Sequence, residues 1–194
     1  MKFNKYLLAS AIIASLGSAA VNAADGTITF NGTVTDSACT AIASVTADTV
    51  ATGTPISATL TLPPVTSTVL NAAAGTYAGQ TPFSIQLTGC EAATGLNNVR
   101  ALFTTSSATS DGYVMANTAG TTPAGNVGIA IMRQNGTTQI DLNGGPAKDP
   151  GAALPAAASP GPITLNYQAA YKSLTTGVTA GNVTAAADFV ISYF

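Results

Sequence analysis

Apolar residues recur at every second position in six segments of this 194-residue chain. Clusters of Gly, Pro, Asn and Ser separate those segments, and no stretch beyond the N-terminal region carries an apolar stripe of helical period. Together these observations predict an all-β fold, a sandwich of immunoglobulin-like type.

The chain opens with "MKFNKYLLASAIIASLGSAAVNA". Lys2 and Lys5 form a short basic start, an apolar run follows, and Val21 and Ala23 supply the small residues of a cleavage site. This pattern predicts a secretory signal over residues 1–23, cut between Ala23 and Ala24. The apolar run is shorter than the ~20 residues a spanning helix needs. The remaining 171 residues fit one domain.

The first strand expected is "GTITFNGTVTD", with Ile28, Phe30 and Val34 on one face and threonines on the other. "PFSIQLTGC" puts Phe83, Ile85 and Leu87 together, and "NVRALF" does the same for Val99, Ala101 and Phe103. "NVGIAIMR" aligns Val127, Ile129 and Ile131. "PITLNYQAAYK" aligns Ile163, Leu165, Tyr167, Ala169 and Tyr171. "NVTAAADFVISYF" closes the series at the last residue. Side chains of a strand alternate between faces, so each set lines one buried surface. "RQNGTT" is the strongest short hairpin signal. The Ala-rich stretch 152–158 is punctuated by Pro150, Pro155 and Pro160 and is expected to be a loop.

Composition narrows the function. Without Lys2 and Lys5 the exported chain keeps four cations against eight acids, a net charge of −4, and has no basic patch for nucleic acid. The sequence contains no His, which removes the commonest general base and zinc ligand. Its acids are scattered, and solvated surface acids are the expected reading of them. "DLNGGP" lacks the repeated ligands of a calcium loop, and no glycine-rich phosphate loop is present. Sequons stand at Asn31, Asn135 and Asn182, a weak signal in a chain rich in Asn and Thr. The reading is a non-enzymatic protein without a cofactor or metal. Cys39 and Cys90 both lie in the exported part, so one disulfide is expected, with two buried thiols as the alternative.

At this point the residues resemble a family. "GTITFNGTVTDSACT" looks like the start of a mature pilus subunit of the bacterial chaperone–usher pathway, and "TPFSIQLTGC" like the segment ending at the second cysteine of such subunits. Those subunits carry a Gly 14 residues from the C-terminus and a penultimate Tyr, and Gly181 and Tyr193 occupy both places. The middle, roughly residues 95–162, is similar in style only.

The resemblance implies an incomplete immunoglobulin-like sandwich that lacks its last strand and is completed in trans by a donated one. It implies a structural subunit of a surface fimbria, carried through the periplasm to the cell surface and supporting adhesion. The implied partners are a periplasmic pilus chaperone, an outer-membrane usher and identical or related pilin subunits in a homopolymer. Residues 24–36 would be the donor extension, inserting Ala24, Gly26, Ile28 and Phe30, and residues 37–194 the pilin domain. Burying Ile28 and Phe30 would contribute about 1.5–3 kcal/mol each. Gly26 would allow close backbone approach. The strand bordering the groove and meeting the chaperone would carry Gly181, Val183, Ala185, Ala187, Phe189, Ile191, Tyr193 and Phe194. A minor adaptor or adhesive subunit of the same pilus is the alternative. An ordinary secreted sandwich with both terminal strands paired in one chain, an outer-membrane barrel and a secreted enzyme rank below it.

Overall fold

A computed structural model describes residues 38–53 and 55–194. The predicted leader, the Ala23–Ala24 junction and the donor residues Ala24, Gly26, Ile28 and Phe30 lie outside the described residues. Among the described residues, ten strands and one helical turn follow in order: β1 Ala41–Thr46, β2 Val50–Ala51, α1 Ser67–Leu70, β3 Tyr77–Cys90 and β4 Asn98–Thr104 come first. Then come β5 Met115–Ala116, β6 Val127–Arg133, β7 Gln139–Ile140, β8 Ala152–Ala153, β9 Gly161–Ser173 and β10 Asp188–Tyr193.

Among the described residues the strands form two antiparallel sheets. The larger runs β2-β1-β3-β9-β6-β5, with β7 also on β6, and the smaller runs β10-β4-β8. The apolar alternation explains why two layers form. Ile85 and Leu87 of β3, Ile129 and Ile131 of β6, and Ile163, Leu165 and Tyr167 of β9 point inward from one sheet. Val99, Ala101 and Phe103 of β4 meet them from the other. Each of these faces would lie in water without the opposite layer.

Cys39 and Cys90 are bonded, and both are buried. The bridge ties the chain entering β1 to the end of β3. Flanking it, Thr40 N–H donates to Thr88 O at 3.0 Å and Glu91 N–H to Ala38 O at 2.8 Å. Gly89, beside the bridge, has φ +61° and faces the Thr40 side chain so closely that a Cβ would collide with it. The β3–β9 register shifts there, between Leu87 and Cys90.

Several elements differ from expectation. β6 is buried on both faces. Its second face, Ala130 and Met132, joins Val114 and Ala170 in a small separate core with Tyr77 against it. The segment around β5 folds over that side, which alternation in β6 alone does not reveal. β8 lies in the Ala-rich stretch expected to be loop, because Ala152 and Ala153 pair with Val99 and Asn98. β1 was not expected: a register irregularity between Ile42 and Ser44 buries the neighbours Ser44 and Val45 and breaks the period. α1 is four residues long, too short to leave a helical period. The hairpin at Asn135–Gly136 is present between β6 and β7, closed by Gly136 N–H to Arg133 O at 2.9 Å.

Candidate functional site

The final segment is a strand in the ladder sense only over Asp188–Tyr193, although its alternation begins at residue 182. Upstream, the chain bonds to the 117–124 loop instead of β4. Asn182 N–H donates to Thr122 O at 2.8 Å, Ala124 N–H to Asn182 O at 2.9 Å, and Thr118 N–H to Thr184 O at 2.8 Å. Thr184 N–H reaches the Asn117 side-chain oxygen at 3.0 Å, and Ala186 O accepts from Thr105 Oγ1 at 2.8 Å.

Gly181 explains how the two segments come so close. A Cβ there would stand 2.5 Å from Thr122 O and 2.6 Å from Pro123 C, and would also strike Ala124 N. Only a residue without a side chain lets the backbone lie on that loop.

Parity then decides which groups remain. Phe194 exchanges hydrogen bonds with Asn98 (3.0 and 2.9 Å), which makes the even-numbered residues of β10 the ones bonded to β4. The backbone groups of Val183, Ala185, Ala187, Phe189 and Ile191 face the opposite edge, where they meet no partner among the described residues. Their side chains point at the core yet are only half-buried. Val190, on the outer face, is 60% exposed.

The floor beneath this edge is aromatic. Phe103 meets Tyr167 at 5.1 Å in an edge-to-face contact, Phe83 meets Tyr167 at 5.5 Å, and Phe189 lies 6.5 Å from Phe103. Ile56, Leu60 and Leu62 of the irregular segment 55–65 pack against the same core. That segment is tied down by Asp48, which donates its N–H to Thr59 O at 3.1 Å and accepts from Thr61 N–H at 2.9 Å and Thr61 Oγ1 at 2.5 Å. These bonds hold the Asp48 carboxyl below its usual range, the Thr61 hydroxyl contributing most. Toward Gly181 the space widens into a cleft of about 550 Å³. Leu62, Pro64 and Val65 line one side and Gly181–Thr184 the other.

The structure thus brings the odd-numbered residues from Val183 to Ile191 onto one face. Tyr193 packs on the same core, half-buried. Phe194 is exposed, and the Arg100 guanidinium lies over its ring at 4.3 Å. Sequence reasoning did not single out Arg100. Asp149, expected on the surface with the other acids, is instead buried and accepts the Tyr167 hydroxyl at 2.6 Å. The one local sign of this was the turn cluster "KDPG", where Gly151 N–H bonds back to Asp149 Oδ1 at 3.1 Å. No three His, Cys, Asp or Glu side chains converge on a metal-sized site among the described residues.

The described residues thus form an antiparallel sandwich with an apolar floor and a last segment whose backbone, at Val183 to Ile191, has no partner on its outer side among them. The fimbrial protein family model matches residues 28–194, and the chain belongs to that family. It is 37% identical over 187 residues to the F17 fimbrial protein of Escherichia coli, covering 94% of each chain. To the major fimbrial subunit SMF-1 of Stenotrophomonas maltophilia (strain K279a) it is 36% identical, covering 90% of this chain and 95% of that one. A chain from the structure of a chaperone–usher pilus superimposes with a TM-score of 0.55 at 21% identity, covering 87% of this chain and 95% of that one, which establishes a common fold. The protein is therefore a fimbrial structural subunit rather than an enzyme.

Proposed function

We propose that the open edge of β10 receives a strand from another molecule and that the chain polymerises into a surface fimbria by donor-strand exchange. The observation that carries this is the row Val183, Ala185, Ala187, Phe189 and Ile191, half-buried side chains whose own backbone groups face outward and have no partner among the described residues. An apolar edge of this kind promotes uncontrolled pairing unless it is covered. A strand added there satisfies the backbone and places alternate side chains on the aromatic floor.

In this reading residues 1–23 are a leader removed between Ala23 and Ala24, residues 24–36 the donor extension, and residues 37–194 the body that accepts. Ala24, Gly26, Ile28 and Phe30 enter the groove of the next subunit. During passage through the periplasm a chaperone strand covers Gly181, Val183, Ala185, Ala187, Phe189, Ile191, Tyr193 and Phe194, and an outer-membrane usher exchanges it for the donor of an identical or related subunit. The filament is displayed at the cell surface and supports adhesion.

Deleting Ala24–Phe30 tests the assignment. The shortened subunit is expected to bind the chaperone and form no filaments by electron microscopy. The same segment fused behind Phe194 through a flexible linker is expected to give a chaperone-free monomer that melts higher, because donation becomes intramolecular. Filaments from the deletion variant, or no gain in melting temperature from the fusion, overturn the proposal.

A further inference from the structure

Phe194 closes the edge strand, and this chain holds it on several sides. Asn97 N–H and Asn98 N–H both donate to its main-chain oxygen, at 3.0 and 2.9 Å, and its own N–H donates to Asn98 O at 3.0 Å. The Arg100 guanidinium covers the ring at 4.3 Å. Gly151 faces the same ring so closely that a Cβ would lie 3.1 Å from its Cζ.

Arg100 is in turn aimed by Asp149, whose main-chain oxygen accepts from Arg100 Nη1 at 3.3 Å. Asp149 is fixed by Gly151 N–H on one carboxylate oxygen and by the Tyr167 hydroxyl on the other. Tyr167 belongs to the aromatic floor. A continuous set of contacts therefore runs from the floor of the groove to the end of the strand that borders it.

Strand ends fray unless they are tied down. A slip of one residue would turn every side chain of β10 to the wrong face. We propose that Arg100 is a positioning residue for strand addition: by clamping the Phe194 ring it fixes the end and register of the edge that an incoming strand pairs with. This inference rests on the donor-strand reading. A guanidinium suits the task because it stacks flat on a ring while its edge still donates to Asp149, which a lysine ammonium cannot do.

The test uses the full chain purified with its periplasmic chaperone, as wild type, Arg100→Ala, Phe194→Leu, the double variant and Phe194→Tyr. Two quantities are measured: hydrogen exchange of the amides from Ile191 to Phe194, and the rate of uptake of a synthetic peptide with the sequence of residues 24–36. Each single truncation is expected to speed exchange and slow uptake about two- to fivefold. The double variant is expected to match the singles, because both remove one contact. Phe194→Tyr keeps a ring under the guanidinium and should retain most of the exchange protection that Phe194→Leu loses, while β6 amides should not change. Effects that multiply in the double variant, or exchange that rises equally in β6, overturn the clamp. Uptake by Arg100→Ala at the wild-type rate overturns its role in strand addition alone. A wild-type chain that takes up no peptide overturns strand donation itself, and this role with it.

Discussion

The hydroxyl of Tyr167 donates a 2.6 Å hydrogen bond to the buried carboxylate of Asp149, joining β9 of the larger sheet to the turn that leads into β8 of the smaller one. The same hydroxyl accepts from Ala101 N–H of β4 at 3.2 Å, so one phenol oxygen links both layers. Tyr167→Phe leaves a buried carboxylate oxygen and a buried amide short of a partner. It should destabilise the domain by about 1–3 kcal/mol, read from denaturant unfolding. Unchanged stability would show that water replaces the phenol.

The same tyrosine sets an alkaline limit. Burial first, then the bond to Asp149, pushes the Tyr167 phenol far above its usual range, and burial raises Tyr77 and Tyr171 as well. All three are protonated in both states below about pH 10, so their contribution is fully present there. Above that pH the unfolded chain releases phenolic protons that the folded chain retains, and stability falls. Unfolding measured between about pH 9 and pH 11, one unit either side of the ordinary value, should show this decline. The decline should be shallower in Tyr167→Phe.

Asp48 works in the opposite direction. Its carboxyl is lowered by Thr61, so its contribution is fully present above about pH 4 and is lost as pH falls through the depressed value. The protection factor of the Thr61 amide should therefore fall in acid, and Asp48→Ala should lack that protection already at neutral pH.

Gly181→Ala inserts a methyl group against the backbone of Thr122, Pro123 and Ala124, none of which can move as a side chain end would. Overpacking of this kind typically costs about 1–3 kcal/mol. A fall in melting temperature with loss of protection at Asn182 and Thr184 is the expected result. A neutral substitution would mean that the 117–124 loop shifts freely.

Cys39→Ser opens the loop closed by the bridge to Cys90, whose sequence separation is 51. The loss is about 4 kcal/mol in the chain-entropy model, a large part of a typical domain's stability. The periplasmic level of the variant should fall, and a level equal to wild type would contradict this.

By itself the sequence determined the β class, the inward faces of β3, β4, β6 and β9, and the apolar face from Val183 to Tyr193, because alternation is a local property of each strand. The glycine 14 residues from the C-terminus and the penultimate tyrosine were legible as a family likeness. The reason Gly181 must lack a side chain was not, since the Thr122–Ala124 backbone that it touches is about 60 residues away in the chain. β8, β5 and the second face of β6 were equally hidden: two-residue strands carry no period, and a face covered by a distant loop looks the same in sequence as one in water. The Arg100–Phe194 stack and the Tyr167–Asp149 bond depend on side chains 94 and 18 positions apart. Only the tertiary structure decided which edge of β10 is paired. Alternation records where side chains point, whereas the direction of backbone hydrogen bonds is set by the neighbouring strand, which for β10 is β4, separated from it by most of the domain.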